Sequence, residues 1–153
     1  MFRASLEEIE HPYSIILTQD CDLYWDFDAR REGNAAASQI KLVPSLLLCE
    51  LSEENALRGV QGINSDVWRR IAQNSNERFH KLPEVPSEQD LQNEGLPSLV
   101  ADFKRIFTVP TDELYTRVGA SVRRRSVLTD PYLQHFSSRF GYFCLRVALP
   151  DLP

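Results

Sequence analysis

The sequence predicts a single α+β domain, residues 1–153, in which a strongly curled, mostly antiparallel, barrel-like sheet packs against a C-terminal helix. Three observations predict this fold. The apolar run Ser14-Ile15-Ile16-Leu17 has the composition of a buried strand. Further strand-like runs follow, bounded by Pro, Gly and Asn. Near the C-terminus, apolar residues recur at spacings of three and four, the period of a helix with one buried face.

Four strand segments are predicted from β propensity, polar and apolar alternation, and proline positions. They are Tyr13 to about Gln19, residues 40–51 with a bend at Pro44, residues 78–82, and residues 98–109. The first two are expected to pair. Residues 24–34 have no sustained period and are interpreted as a long loop, and residues 118–128 are either a last strand or a loop.

Two helices are predicted. The first has Ser65 as its N-cap and buries Val67 and Ile71 on one face. The second covers residues 130–147, with Asp130 as N-cap and Pro131 at the first helical position. Its apolar stripe, which is expected to share one core with the first strand, is Leu133, Phe136, Phe140, Phe143 and Val147.

Composition limits the class of protein. The three cysteines are widely spaced and form no Cys-x-x-Cys pair, which is typical of reduced thiols in a cytoplasmic protein and predicts neither a metal site nor a cofactor. No apolar run approaches the roughly 20 residues of a membrane span.

The charge is unevenly distributed along the chain. Residues 1–103 hold nine Lys/Arg against eighteen Asp/Glu, whereas residues 104–146 hold eight against three. The charge therefore disfavours general nucleic-acid affinity and leaves local RNA binding open for the basic C-terminal part.

The segment Thr18-Gln19-Asp20-Cys21-Asp22 follows the first strand, and the run from Asp102 to Val109 precedes Leu114 and Gly119. In this order the chain resembles PemK/MazF-type toxin endoribonucleases, which are small SH3-like curled barrels with a C-terminal helix. It is also similar to a group of bacterial proteins with a Thr/Ser-Gln-x-Cys-Asp segment and an Arg-x-x-Leu-Pro tail, here residues 146–150. The resemblance spans most of residues 12–150 and implies a toxin-like or phage-defence-like bacterial system.

The chain departs from the toxin pattern at two positions. Toxins of this kind usually place an arginine before the proline that opens the first long strand, and here that residue is His11. The hydroxyl near the end of the second strand has only Ser52 as a loose counterpart. Histidine transfers protons near neutral pH, so RNA cleavage by His11 with nearby arginines remains one hypothesis.

The polar segment after the first strand concentrates the candidate chemistry. If the strand stays extended, Cys21 lies on the same face as Leu17 and is expected to be a buried small hydrophobe rather than a nucleophile. Asp20 and Asp22 are expected to cap turns and bind loop amides, with metal-dependent phosphoester hydrolysis as the alternative. The candidate catalytic residues are His11, Thr18, Asp20, Cys21 and Asp22.

Two further features are candidate binding surfaces. Trp25 and Phe27 either plug the mouth of the barrel or form an exposed patch. The run Arg123-Arg124-Arg125 contacts phosphate or an acidic partner, or is a solvated face. The candidate binding residues are Thr18, Gln19, Asp20, Asp22, Trp25, Arg123, Arg124 and Arg125.

Three functions follow from these observations. The first is a non-catalytic regulatory or protein-interaction module that works through the Thr18–Asp22 segment and binds a protein partner. The second is an endoribonuclease of PemK/MazF type, and the third is a metal-dependent phosphoesterase at the Asp residues. A homodimer is left open, and no membrane association is expected.

Overall fold

The computed structural model describes residues 11–32 and 39–146. Four strands and five α-helices lie in these residues. In chain order they are β1 (Tyr13–Ile16), α1 (Asp20–Glu32), β2 (Ser45–Glu53), α2 (Glu54–Arg58), α3 (Ser65–Ala72), β3 (Phe79–Leu82), β4 (Leu99–Pro110), α4 (Thr111–Arg117) and α5 (Tyr132–Leu145). The α+β class and the C-terminal helix are therefore confirmed. Within the described residues, no helix is long and apolar enough to cross a membrane.

The four strands form one antiparallel sheet in the order β1-β2-β4-β3. The expected pairing of the first two strands is confirmed, with Ile15 opposite Cys49. β1 and β3 lie at opposite edges, so the sheet of the described residues is open and forms no barrel. The predicted strong curl was wrong because the sequence pattern specifies which residues are extended, whereas closure depends on a further pairing between the edge strands.

A large bulge interrupts the pairing of β2 with β4. Cys49 pairs with Ile106, and Leu51 pairs with Ala101. These two pairs are two residues apart along β2 but five residues apart along β4. The additional residues of β4 lie opposite Glu50. Bulges re-aim side chains, and this one brings Arg105 of β4 to the carboxylate of Glu50.

One face of the sheet packs against α5. Phe103 lies at the centre of this core, with its ring centroid 5.6 Å from those of Phe136, Phe140 and Phe143. Ile15 and Leu17 pack against the same cluster. The expected common core of the first strand and the helix stripe is therefore confirmed, except that Val147 lies outside the described residues.

The opposite face packs against α2 and α3, because neighbouring residues of β4 point to opposite sides. Val100 and Phe79 form this second core with Leu57 and Ile71. The helix predicted here is confirmed, but its N-cap is Asn64 rather than Ser65. The Asn64 side chain accepts hydrogen bonds from the N–H groups of Asp66 and Val67, the second and third residues after it, which is the bonding pattern of an N-cap.

Several predicted boundaries differ from the structure. Residues 39–41 form a turn and β2 begins only at Ser45, because Pro44 cannot donate a ladder hydrogen bond. Residues 123–128 contain no strand, and only an isolated bridge joins Val118 to Val122. Helix α5 begins at Tyr132, after Pro131, and Asp130 makes no side-chain cap.

His80 is buried between the sheet and α5. Its ring packs against those of His135 and Phe136, and within the described residues its Nδ1 has no hydrogen-bond partner. Burial, together with the charges of Arg139 and His135, lowers the pKa of His80 to about 4. The folded protein therefore holds this imidazole neutral at pH 7.

Acidification should destabilise the fold through His80. In the unfolded chain His80 binds a proton near pH 6.5, whereas in the folded chain it does so only near pH 4. The contribution of neutral His80 to the free energy of unfolding is therefore complete above pH 6.5 and is lost as the pH falls to 4. The shift corresponds to about 3 kcal/mol. Urea unfolding between pH 7 and 4 measures this loss. His80→Leu should flatten the profile, whereas His11→Ala should keep it steep, because His11 contacts Glu50 and lies outside the His80 packing. Equal slopes in both variants would contradict the assignment.

Candidate functional site

The Thr18–Asp22 segment lies where β1 ends and α1 begins. The Leu47 carbonyl accepts a hydrogen bond from the Leu17 N–H at 2.8 Å, and the Leu47 N–H donates to the Thr18 hydroxyl at 2.9 Å. The Thr18 side chain thus replaces a backbone carbonyl in the ladder and ends the strand. The Gln19 carbonyl accepts from the N–H groups of Asp22 and Leu23, which starts the helix.

Helix α1 corrects the extended interpretation of the segment. Cys21 is exposed rather than buried, with its Sγ 3.6 Å from Oε1 of Gln19. Asp20 and Asp22 lie in the first helical turn, where negative charge is favourable beside the helix N-terminus. Within the described residues neither carboxylate binds a loop amide, and their turn-capping role stays a prediction. The buried thiol of the protein is Cys49, and burial raises its pKa to about 12.

Asp26 anchors α1 to the rest of the molecule. It is fully buried and accepts hydrogen bonds from Nε of Arg30 at 2.7 Å, the N–H of Val43 at 2.8 Å and the hydroxyl of Tyr115 at 3.1 Å. Burial alone would raise the pKa of Asp26, but these donors outweigh burial and lower it. Arg30 also pairs with Asp112 of α4. These contacts fix the side of α1 that faces the protein.

The outward side of α1 carries three large aromatic side chains. Tyr24 is 64% exposed, and Trp25 and Phe27 are each 53% exposed. We call these three residues the aromatic surface. The predicted loop 24–34 is thus a helix as far as Glu32, and residues 33 and 34 lie outside the described residues. Of the two alternatives for Trp25 and Phe27, the structure shows the exposed patch.

The polar and apolar sides of α1 are inverted relative to those of an ordinary surface helix. Its fully buried positions are Asp26 and Ala29, and its aromatic residues point outward. This inversion explains why no apolar period was visible in the sequence. Acidic residues in the first turn and Arg30 and Arg31 in the last turn are the signals from which the helix could have been predicted.

The arginine run divides into different environments. Arg125 binds Asp90 through Nε at 3.0 Å and Nη2 at 2.7 Å, and it lowers the pKa of that carboxyl well below its usual range. Arg123 pairs more loosely with Glu94, at 3.9 Å, and Arg124 is exposed. Arg125 therefore fixes the loop that contains Asp90, and among the three only Arg124 keeps a solvated side chain without an ion pair in the described residues.

A second polar group joins His11, two residues before β1, to side chains of β2 and β4. Nδ1 of His11 is 3.1 Å from Oε2 of Glu50, and Oε1 of Glu50 is 2.6 Å from Nη1 of Arg105. The His11 ring also stacks on Phe107, with centroids 4.0 Å apart. No hydrogen bond or ion pair of the described residues joins His11 to the arginine run. The sequence predicted His11 but assigned no role to Glu50 or Arg105, because only the β4 bulge brings them together.

Two further carboxylates of α1, Asp26 and Asp28, do not join Asp20 and Asp22 in a metal site within the described residues. Asp26 is turned into the protein, and Asp28 lies 3.8 Å from Arg31. Among the described residues there is no group of three or more His, Cys, Asp or Glu side chains placed to hold a metal ion.

Comparisons with protein-family models, with curated proteins and with solved structures each found no match.

Proposed function

We propose that the protein is a non-catalytic interaction module that binds a protein partner through the aromatic surface of α1. The observation that carries this proposal is the inversion of α1, which places Asp26 inside and exposes Tyr24, Trp25 and Phe27 to more than half of their full extent. Exposed clusters of large apolar side chains mark interaction sites. Tyr and Trp also contribute more binding energy than most residues at protein interfaces.

The charges around the aromatic surface indicate the chemistry of the partner. Asp20 and Glu32 are exposed at the two ends of α1, whereas Arg30 is committed to Asp26 and Asp112. Arg31 is the exposed basic residue of the helix. An acidic rim around apolar side chains is complementary to an apolar groove with a basic rim. The partner is accordingly a protein with such a groove, bound in the helix-in-groove manner.

The setting of this module is also a proposal. A cytoplasmic, regulatory role in a toxin-like or phage-defence-like system is supported by the sequence resemblance and by the absence of Cys pairing, with Cys21, Cys49 and Cys144 all free thiols.

Binding should depend on Trp25 and Phe27. Affinity capture by the full chain, with bound proteins and nucleic acids both identified, supplies the partner, and titration with that purified partner measures the affinity. The double variant Trp25→Ala/Phe27→Ala should weaken binding at least about tenfold, because truncating an aromatic hot-spot residue costs about 2 kcal/mol or more. Tyr142→Ala is the matched control, since Tyr142 is an exposed aromatic residue of α5.

Raised salt should weaken the same complex, because the acidic rim is solvent-exposed. A partner whose affinity is unchanged in the double variant would contradict the proposal. Circular dichroism of each variant shows whether the fold is retained.

One observation favours a second candidate, RNA cleavage. His11 and Glu50 are in contact, and both are residue types that act as general acids and bases. Arg105 beside them supplies positive charge of the kind that stabilises a phosphate. However, Glu50 already neutralises Arg105 in this arrangement, so we expect no cleavage of single-stranded RNA. Metal-independent cleavage that is lost in both His11→Ala and Arg105→Ala, and kept in Arg124→Ala, would establish this second function instead.

A further inference from the structure

The two edges of the sheet differ in their free hydrogen-bonding groups. At the β3 edge, side chains satisfy the outward groups of both Phe79 and Lys81. The Phe79 N–H donates to Oδ1 of Asn76, and the Phe79 carbonyl accepts from Arg139. Asn74 accepts from the Lys81 N–H at 2.6 Å and donates to the Lys81 carbonyl at 2.9 Å. This edge is closed to a further strand.

The β1 edge lacks such protection. Because the Leu17 N–H donates to Leu47 of β2, alternation along an antiparallel ladder directs the backbone groups of Ile15 toward β2 and those of Ser14 and Ile16 away from it. In the part of the chain that the structure describes, no strand or side chain binds these outward groups. β1 contains no charged residue, and Ile16 is 43% exposed.

We propose that β1 pairs with β1 of a second copy of this chain, so that the two sheets join into one continuous antiparallel sheet. A two-fold axis through Ile15 places Ser14 of each copy opposite Ile16 of the other. The N–H and C=O of both residues then form four inter-chain hydrogen bonds, which uses every outward group of β1. Pro12, which has no N–H, ends the ladder on the next outward position.

The side chains of β1 fit this self-pairing. On one face the small Ser14 lies beside the exposed Ile16 of the partner copy, which covers part of that apolar side chain. On the other face the two Ile15 side chains meet at the axis. No like charges oppose one another, because the strand is uncharged. The closed two-fold arrangement also stops further addition of copies at this edge.

Disulfide trapping tests the register directly. In the new ladder Ile15 faces itself at a non-hydrogen-bonded position, where Cα atoms are about 4.5 Å apart, within the range of a disulfide. In a Cys21→Ser/Cys49→Ala/Cys144→Ser background, Ile15→Cys should give a disulfide-linked dimer under mild oxidation, and Cys49 is removed because it lies opposite Ile15 within the same chain. Ile40→Cys in the same background is the control, because Ile40 is fully exposed and lies outside β1, and it should give none.

Sedimentation of the full chain over a range of concentrations tests the dimer without oxidation. Ser14→Pro removes an outward N–H but no β1–β2 bond, and it should weaken self-association at least about tenfold while circular dichroism stays native. Trp25→Ala/Phe27→Ala should dimerise as the parent does, which separates this inference from the proposed function.

Three results would overturn the inference. The first is a chain that is monomeric at all concentrations and forms no Ile15→Cys disulfide. The second is self-association that survives Ser14→Pro but is lost in Trp25→Ala/Phe27→Ala, which would assign the dimer to the aromatic surface. The third is a monomeric chain whose captured partner is lost on Ser14→Pro, which would assign the β1 edge to a strand of that partner.

Discussion

Phe103→Ala should lower the free energy of unfolding by roughly 3 to 5 kcal/mol, the range for truncating a buried aromatic residue. Phe103 is 1% exposed and lies at the centre of the core between the sheet and α5. Its ring packs against Phe136, Phe140 and Phe143 at centroid distances of 5.6 Å. These three residues are held by α5 and cannot collapse into the space left by the ring without moving the helix.

Chemical denaturation followed by circular dichroism measures this loss. Tyr142→Ala provides the contrast, because Tyr142 lies on the same helix as the three phenylalanines but is 63% exposed, and the change should be within about 0.5 kcal/mol. A loss below about 1 kcal/mol for Phe103→Ala would show that α5 does not pack on the sheet as described.

Asp26→Ala should cost roughly 3 to 5 kcal/mol, the range for removing one partner of a buried ion pair. The substitution leaves the N–H of Val43, the hydroxyl of Tyr115 and Nε of Arg30 without their acceptor. Because these donors connect α1 to the segment before β2 and to α4, the loss should also loosen α1. Hydrogen exchange of the α1 amides measures that local effect.

Asp26→Asn separates charge from shape. The asparagine carbonyl can still accept from the Val43 N–H, so we expect a smaller loss than for Asp26→Ala. Asp28→Ala is the matched control, since Asp28 lies on the same helix and, among the described residues, makes only a loose ion pair with Arg31. Equal stability of Asp26→Ala and Asp28→Ala would contradict the anchoring role of Asp26.

Where the sequence patterns were regular, the structure followed them. The apolar stripe with Phe136, Phe140 and Phe143 was correctly predicted as the buried face of the C-terminal helix, and Ile15 and Leu17 share its core. The long fourth strand was also predicted correctly, although its bulge was not. Helical and extended periods are local properties, so the order of residues alone reveals them.

Where the structure departed from prediction, distant residues decided the outcome. The Thr18 hydroxyl ends β1 by accepting from Leu47, and Asp26 anchors α1 through Val43 and Tyr115. Those partners are far away in sequence, so the segment after β1 was interpreted as extended and then as a loop. The error carried over to Cys21, which was expected in the core and is exposed.

The sequence by itself determined the α+β class, the β1–β2 pairing and the phenylalanine core, because each follows from a repeated pattern of side chains along the chain. Only the tertiary structure decided that the sheet of the described residues is open, that α1 presents aromatic residues to solvent, and that Glu50 joins His11 to Arg105. The physical reason is that these features depend on single long-range hydrogen bonds and on one bulge, which leave no periodic signal in the sequence.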